Sequence, residues 1–382
     1  AWTLGKIGFM LAVILGLLPL MIWAERKGAA FIQDRVGPNR ASLGGVMRMG
    51  GLVHPLADVL KLVFKEDVVP GGVNRFFYTL APFLAMVVAL CTFAVLPFGD
   101  ALYLGDTIIP LRVADLEAGI LYVLAITSIS VYGIVLAGWA SNNKYTFLGG
   151  IRSTAQMISY EINMGLAILA LLLVYGSTRI DVMVVEQGQL LWGFLPRWGV
   201  VMQPVGFFIF LTSIFAEVNR TPFDLAEGES ELVAGYHLEY SSLKFALFYM
   251  AEYANMIVAA GFVSSLYLGG WQVPWLDTAA LRENAGLFLS VSLGVGVVLN
   301  LLFAALLWRR FERERGFLGD RRELEPLILG VVFFLLALGL GGFLALGRPW
   351  GMSEQSAAHF ATVAQVGSFL VKTVFFAWVF IW

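Results

Sequence analysis

Carboxylates carry whatever chemistry this sequence can do. Glu217, Asp224, Glu227, Glu229, Glu231 and Glu239 fall within one short stretch that holds a single arginine, Arg220, and no lysine. The ordinary reading of such a run is a solvated acidic loop. Against it, Pro222-Phe223, Leu225, Leu232-Val233 and Tyr236 interleave apolar side chains with the acids. Carboxylates crowded in a poorly solvated place raise one another's pKa and share protons. Glu227 and Glu231, four residues apart, would also repel each other on a helix. Glu161 and Glu252 lie inside apolar runs, and Asp58 lies three residues before Lys61 in a mixed stretch. A carboxylate at the centre of a membrane span costs about 2.5–3.5 kcal/mol on insertion scales. Glu161 therefore needs an interior partner, a watery cavity or a proton. A proton relay is the functional reading, and a structural hydrogen bond to a neighbouring helix is the other.

The elements that must position these acids are membrane helices. The chain is 59% hydrophobic and 14% charged, with mean hydropathy +0.80, whereas a soluble domain carries about 25% charged residues. Apolar runs of about 20 residues, long enough to cross the hydrocarbon core, recur along the whole length. They predict an all-α polytopic bundle, a single membrane domain over 1–382. Nine spans are expected, at about 7–24, 76–97, 116–138, 153–175, 200–217, 243–269, 285–308, 327–347 and 360–382. The first run ends in Glu25-Arg26-Lys27 rather than at a small-residue cleavage site, so it is expected to remain a span. Basic residues crowd the loops after the first, third and seventh spans. By the positive-inside rule those loops face the cytoplasm and the N-terminus lies outside. Residues 52–67 differ from the spans, because His54, Asp58, Lys61 and Lys65 form one polar stripe among Leu and Val. That pattern predicts an amphipathic helix lying in the membrane interface.

One cysteine, Cys91, excludes a disulfide framework and any iron–sulfur cluster held by this chain alone. The three histidines, His54, His237 and His359, lie in or beside loops and offer no pair of haem ligands within spans. Electrons, if any pass here, arrive from a partner.

Three loops carry more polar specificity than a transporter needs: ERKGAAFIQDRVGPNR (25–40), GWASNNKYTFLGGIRSTAQMISYE (138–161) and AEVNRTPFDLAEGESELVAGYHLEYSSLKFALFYMAEYANM (216–256). Together they closely resemble the quinone-chamber membrane subunit of respiratory complex I, the ND1/NuoH/Nqo8 family, over residues 1–270. The resemblance implies that no cofactor is bound by this chain and that quinone is the substrate. It places flavin and iron–sulfur clusters on partner subunits of an assembly that oxidises NADH. It further implies peripheral quinone-chamber subunits and antiporter-like membrane subunits as partners, no nucleic acid, and a bacterial inner-membrane location. A quinone headgroup offers two carbonyl acceptors, so donors and an aromatic wall suit it. Arg26 and Arg35 resemble family residues at the chamber mouth, and the resemblance implies Arg26, Gln33, Arg35, Phe223, Asp224 and Glu227 around quinone. Asp58, Glu161, Glu217, Glu229, Glu231 and Glu252 are expected along the proton path, while Arg40 reads as a plain positive-inside anchor.

The sequence departs from the family after about residue 270. Two extra spans and an arginine-rich loop (309–325) come before FLVKTVFFAWVFIW (369–382), which resembles the start of a later family span. The pair at 285–347 therefore reads as an insertion, and the sequence as a piece of a longer chain. Two rival readings remain. One is the homologous membrane subunit of an energy-converting hydrogenase, where no quinone enters. The other is a secondary transporter, which would show inverted repeats with Gly- or Pro-broken spans.

Overall fold

Inside a bilayer every backbone N–H and C=O must find its partner within the protein, so apolar runs of spanning length become helices. The computed structural model describes residues 2–104, 107–228, 233, 235–314, 321–347 and 353–382. Its helices are α1 (Trp2–Ile32), α2 (Val53–Phe64), α3 (Arg75–Phe93), α4 (Gly119–Ala140), α5 (Lys144–Tyr175), α6 (Ile180–Gln187) and α7 (Gly199–Met202). There follow α8 (Pro204–Glu217), α9 (Ser242–Tyr267), α10 (Thr278–Glu283), α11 (Ala285–Glu314), α12 (Glu325–Leu346) and α13 (Glu354–Ile381). Two small antiparallel hairpins, Ala101–Leu104 with Thr107–Pro110 and Leu190–Leu191 with Leu195–Pro196, are the strands among the described residues. Among the described residues eight helices are long and apolar enough to cross a membrane, and the polytopic all-α bundle expected from the sequence is what forms.

The exception is the expected span at 200–217. Its backbone leaves the helix at Gln203 (φ −141°, ψ 70°), which divides it into α7 and the 14-residue α8. Pro204 explains the break, because its ring disfavours the helical conformation in the residue before it. Gln203 then uses its side chain as a strut, donating from Nε2 to the Ala170 carbonyl of α5 at 2.9 Å.

α9 is the central post: almost every residue from Ala254 to Tyr267 is buried, with α1, α3 and α13 packed around it. Membrane helices gain little from burying apolar surface away from lipid, so close approach at small residues matters more. Gly138 of α4 and Gly150 of α5 meet in this way, and a Cβ at Gly149 would come within 2.8 Å of the Gly235 backbone. The third polar loop therefore rests directly on α5. α2 presents Leu56, Val59, Leu60 and Phe64 outward, as an interfacial helix does.

The three polar loops converge at one end of the bundle. Asn143 Nδ2 donates to Glu239 at 2.6 Å, Arg152 to the Leu225 carbonyl at 3.3 Å, and Arg220 Nη1 to Glu25 at 3.0 Å. The opposite end is closed by an ionic cluster in which Arg179 bonds Asp181 at 2.9 Å and Arg112 bonds both Asp181 and Asp115. There too Lys372 of α13 donates to the carbonyls of Leu268, Gly270 and Gln272 at 2.7–2.9 Å. That intramembrane cation is thus satisfied by the turn that ends α9. α11 and α12 run antiparallel, shown by the pairings of Phe303 with Phe333 and of Gly296 with Leu340. Little of their surface is covered by the rest of the chain.

Candidate acidic site and loop end

The site begins at the C-terminus of α8. The chain turns through Asn219, held in the left-handed region at φ 49°, and α5 supplies the side chains that fix this turn. Gln156 Nε2 donates to the carbonyls of Ala216 (3.2 Å) and Phe223 (2.8 Å) and to Asn219 Oδ1 (3.1 Å). Asn219 Nδ2 in turn donates to Ser153 Oγ at 3.2 Å and to Glu227 Oε1 at 2.6 Å. The segment after α8 is therefore folded back against α5, and Glu227 is carried inward until only 5% of it stays exposed.

Glu217 sits between two small internal cavities. One, of about 50 Å³, runs into the bundle between α4, α5, α8 and α9 past Thr92, Thr127, Ser130 and Asn255. The other, of about 40 Å³, brings Glu217 together with Glu227 and Glu252, along with Asn219, Tyr236 and Asn255. Each is roomy enough for a few water molecules. Glu217 Oε2 is sealed from bulk solvent and has no hydrogen-bond partner among the described residues. A buried carboxylate oxygen left so is costly unless water or a proton satisfies it. Glu161, midway along α5, accepts from the Ser128 hydroxyl of α4.

Arg220 closes the outer side. Its Nη1 lies 3.0 Å from Glu25 and its Nη2 3.0 Å from Glu252. Tyr253 stacks under the guanidinium at 5.0 Å and donates its hydroxyl to Glu25 at 2.6 Å. Burial works against the charge on Arg220, but the Glu252 and Glu25 carboxylates outweigh it and hold its pKa above the ordinary arginine value. The clamp joins α1, α9 and the segment after α8.

These positions revise several expectations. Glu252, without a base nearby in sequence, is paired with Arg220 from another element. Asp58 pairs not with Lys61 but with Arg26 of α1. Glu227, expected beside quinone, lines the cavity with Glu217 and Glu252. Gln33 and Arg35 are exposed together past the end of α1, with Arg35 Nε donating to Gln33 Oε1 at 2.7 Å. Phe223 is set edge-on to Tyr160 of α5, ring centroids 5.0 Å apart, and Asp224 opens a short turn whose carbonyl accepts from Glu227 and Gly228. Glu229 and Glu231 lie outside the described residues. Sequence reasoning passed over Glu25, Asn219 and Gln156 as site residues. Glu25 stands beside Arg26 in the first polar motif, and that adjacency was the available signal. Among the described residues no group of three or more His, Cys, Asp or Glu side chains could hold a metal ion.

His237 reports on the same loop. Its ring lies 5.3 Å from Tyr236 and 5.6 Å from Phe245, and burial pushes its pKa down to about 4. The folded loop thus holds His237 neutral, whereas the unfolded chain binds a proton below about pH 6.5. Its contribution to stability is complete above that pH and is lost as pH falls toward about 4, reaching roughly 2 kcal/mol at about pH 5. Thermal unfolding of the assembled protein should therefore move to lower temperature between about pH 7 and pH 5, and His237→Gln should flatten that trend. Equal pH trends in both proteins would exclude His237 as the cause.

Comparison with known proteins agrees with this architecture. Residues 5–316 match the sequence pattern of the NADH dehydrogenase family. The chain is 47% identical over 274 residues to the NADH-quinone oxidoreductase H subunit 1 of Geobacter metallireducens, covering 72% of this chain and 79% of the relative. It is 49% identical over 277 residues to the protein of the same name in Solibacter usitatus, covering 72% and 67%. It is 43% identical over 328 residues to the NADH-quinone oxidoreductase H subunit of Leptospira biflexa, covering 82% and 86%. A family pattern that takes in most of the chain, with relatives at this identity over most of their own length, is decisive: the chain belongs to the family of NADH-quinone oxidoreductase H subunits.

Proposed function

We propose that the chain works as the membrane subunit of a proton-translocating NADH:quinone oxidoreductase, forming a quinone chamber at the end where its polar loops meet and the start of an acidic path for protons. The observation that carries this reading is the cavity shared by Glu217, Glu227 and Glu252, with a second cavity continuing from Glu217 into the bundle. A carboxyl shielded from bulk water, with water-sized space on two sides, suits a group that takes up and releases protons. Glu161, hydrogen-bonded to Ser128, continues the series into the middle of α5. Arg26, Gln33 and Arg35 line the C-terminal end of α1, where donors would meet quinone carbonyls, and Phe223 offers an aromatic edge. Partner subunits supply flavin and iron–sulfur clusters, since one cysteine cannot ligate a cluster. The polar loops face the cytoplasm in this reading, as their arginines and lysines indicate.

Arg35→Ala tests the chamber. NADH oxidation by a hydrophilic artificial acceptor draws electrons upstream of this chain and should stay at the parental rate, while quinone reduction falls. Parallel loss of both activities would mean failed assembly, and parental rates in both would remove Arg35 from the chamber.

A further inference from the structure

The pair α11–α12 reaches back to the loop between α1 and α2 through one buried carboxylate. Glu325, the first residue of α12, accepts from Arg48 N at 2.9 Å, from Arg48 Nε at 2.9 Å, and from Met49 N. Both side chains are nearly sealed, Arg48 at 6% and Glu325 at 7% exposure. The backbone explains why an acid is wanted there. Arg48 is right-handed (φ −97°, ψ −24°) and Met49 left-handed (φ 49°), and successive N–H groups in that order form a concave anion-binding nest. A left-handed conformation is unfavourable for a residue with a side chain such as Met49. It persists where the surroundings over-determine it, and here the Glu325 carboxylate supplies that constraint.

The loop so held is the one that follows the C-terminal end of α1. Lys27 Nζ donates to the Val36 carbonyl at 2.7 Å and Trp23 Nε1 to the Gly50 carbonyl at 3.1 Å. His54 takes the Arg40 and Ala41 amides, each at 3.3 Å. Those contacts tie residues 36–54 to α1 and α2 from within. Glu325 adds a tie from a distant part of the chain. We propose that Glu325 is a positioning residue, and that α11–α12 serves as a brace whose carboxylate fills the Arg48–Met49 nest and fixes the loop carrying Gln33 and Arg35. The pair acts on quinone access from outside, without touching quinone. That consequence rests on the chamber reading above, whereas the hold on the loop does not.

Two variants in the assembled complex test it. Glu325→Ala empties the nest. Glu325→Gln keeps the shape and one acceptor, and guards against misassembly of the alanine protein. Amide hydrogen exchange over residues 41–52 should speed up by at least about tenfold in Glu325→Ala and by less in Glu325→Gln. Added acetate or formate, small carboxylates that fit a nest, should slow exchange again in Glu325→Ala. KM for quinone should rise at unchanged kcat, with artificial-acceptor activity unaltered. Unchanged exchange over 41–52 in both variants would overturn the brace. Faster exchange with an unaltered quinone KM would uphold the brace and instead remove this loop from the chamber.

Discussion

Arg220→Met should cost the complex most of its membrane subunit. The substitution keeps the volume of the side chain but leaves Glu25 and Glu252, each now 3.0 Å from a guanidinium nitrogen, facing each other without a cation. Removing one partner of a fully buried ion pair costs about 3–5 kcal/mol, and the low end of that range applies here because Arg220, Glu25 and Glu252 keep 15–33% of their side chains exposed. About 3 kcal/mol is a factor of more than a hundred in the folded-to-unfolded ratio, enough to deplete a marginally stable protein. The level of the subunit in isolated membranes reads this directly. Adding Glu25→Gln and Glu252→Gln to Arg220→Met should restore assembly, since no stranded charge is then left. Parental assembly of Arg220→Met alone would show that the clamp is not structural.

Glu217→Gln should have the opposite profile, with normal assembly and failed turnover. Glutamine fits the same space and can still hydrogen-bond, but it cannot titrate. Loss of a general acid–base group costs on the order of a hundredfold or more. Quinone-dependent NADH oxidation should fall on that scale, while electron transfer to a hydrophilic acceptor persists. Glu239→Gln is the internal control. Its carboxylate accepts from Asn143 at 2.6 Å, an interaction that an amide oxygen can keep, so only a mild loss is expected. Similar losses in both variants would mean that acidity at Glu217 has no special part.

Much of this was legible from the sequence because membrane helices obey a length rule. The positions of α3, α4, α9, α11, α12 and α13 follow from the apolar runs alone, and α2 from its polar stripe. α7 and α8 were read as one span because hydropathy does not register a proline's demand on the residue before it. The acids were visible as types, and Glu161 stood out by its place within a span. Their partners were not, because ion pairs such as Arg220–Glu25 and Arg48–Glu325 join residues far apart in sequence. No periodicity encodes such a pairing. The burial of Glu227 was hidden for a related reason. Its setting is decided by Asn219 and by Gln156 on α5, which fold the segment inward.

The acidic path itself is tested most directly by proton movement. Sealed membrane vesicles containing the Glu161→Gln or Glu217→Gln complex would be given NADH, and internal acidification followed with a pH-sensitive dye. Parallel artificial-acceptor assays would establish that the electron input is intact. If Glu161 and Glu217 relay protons, acidification falls to a small fraction of the parental rate in each variant. Acidification at the parental rate in both would contradict the relay and leave these carboxylates as hydrogen-bonding groups of the bundle.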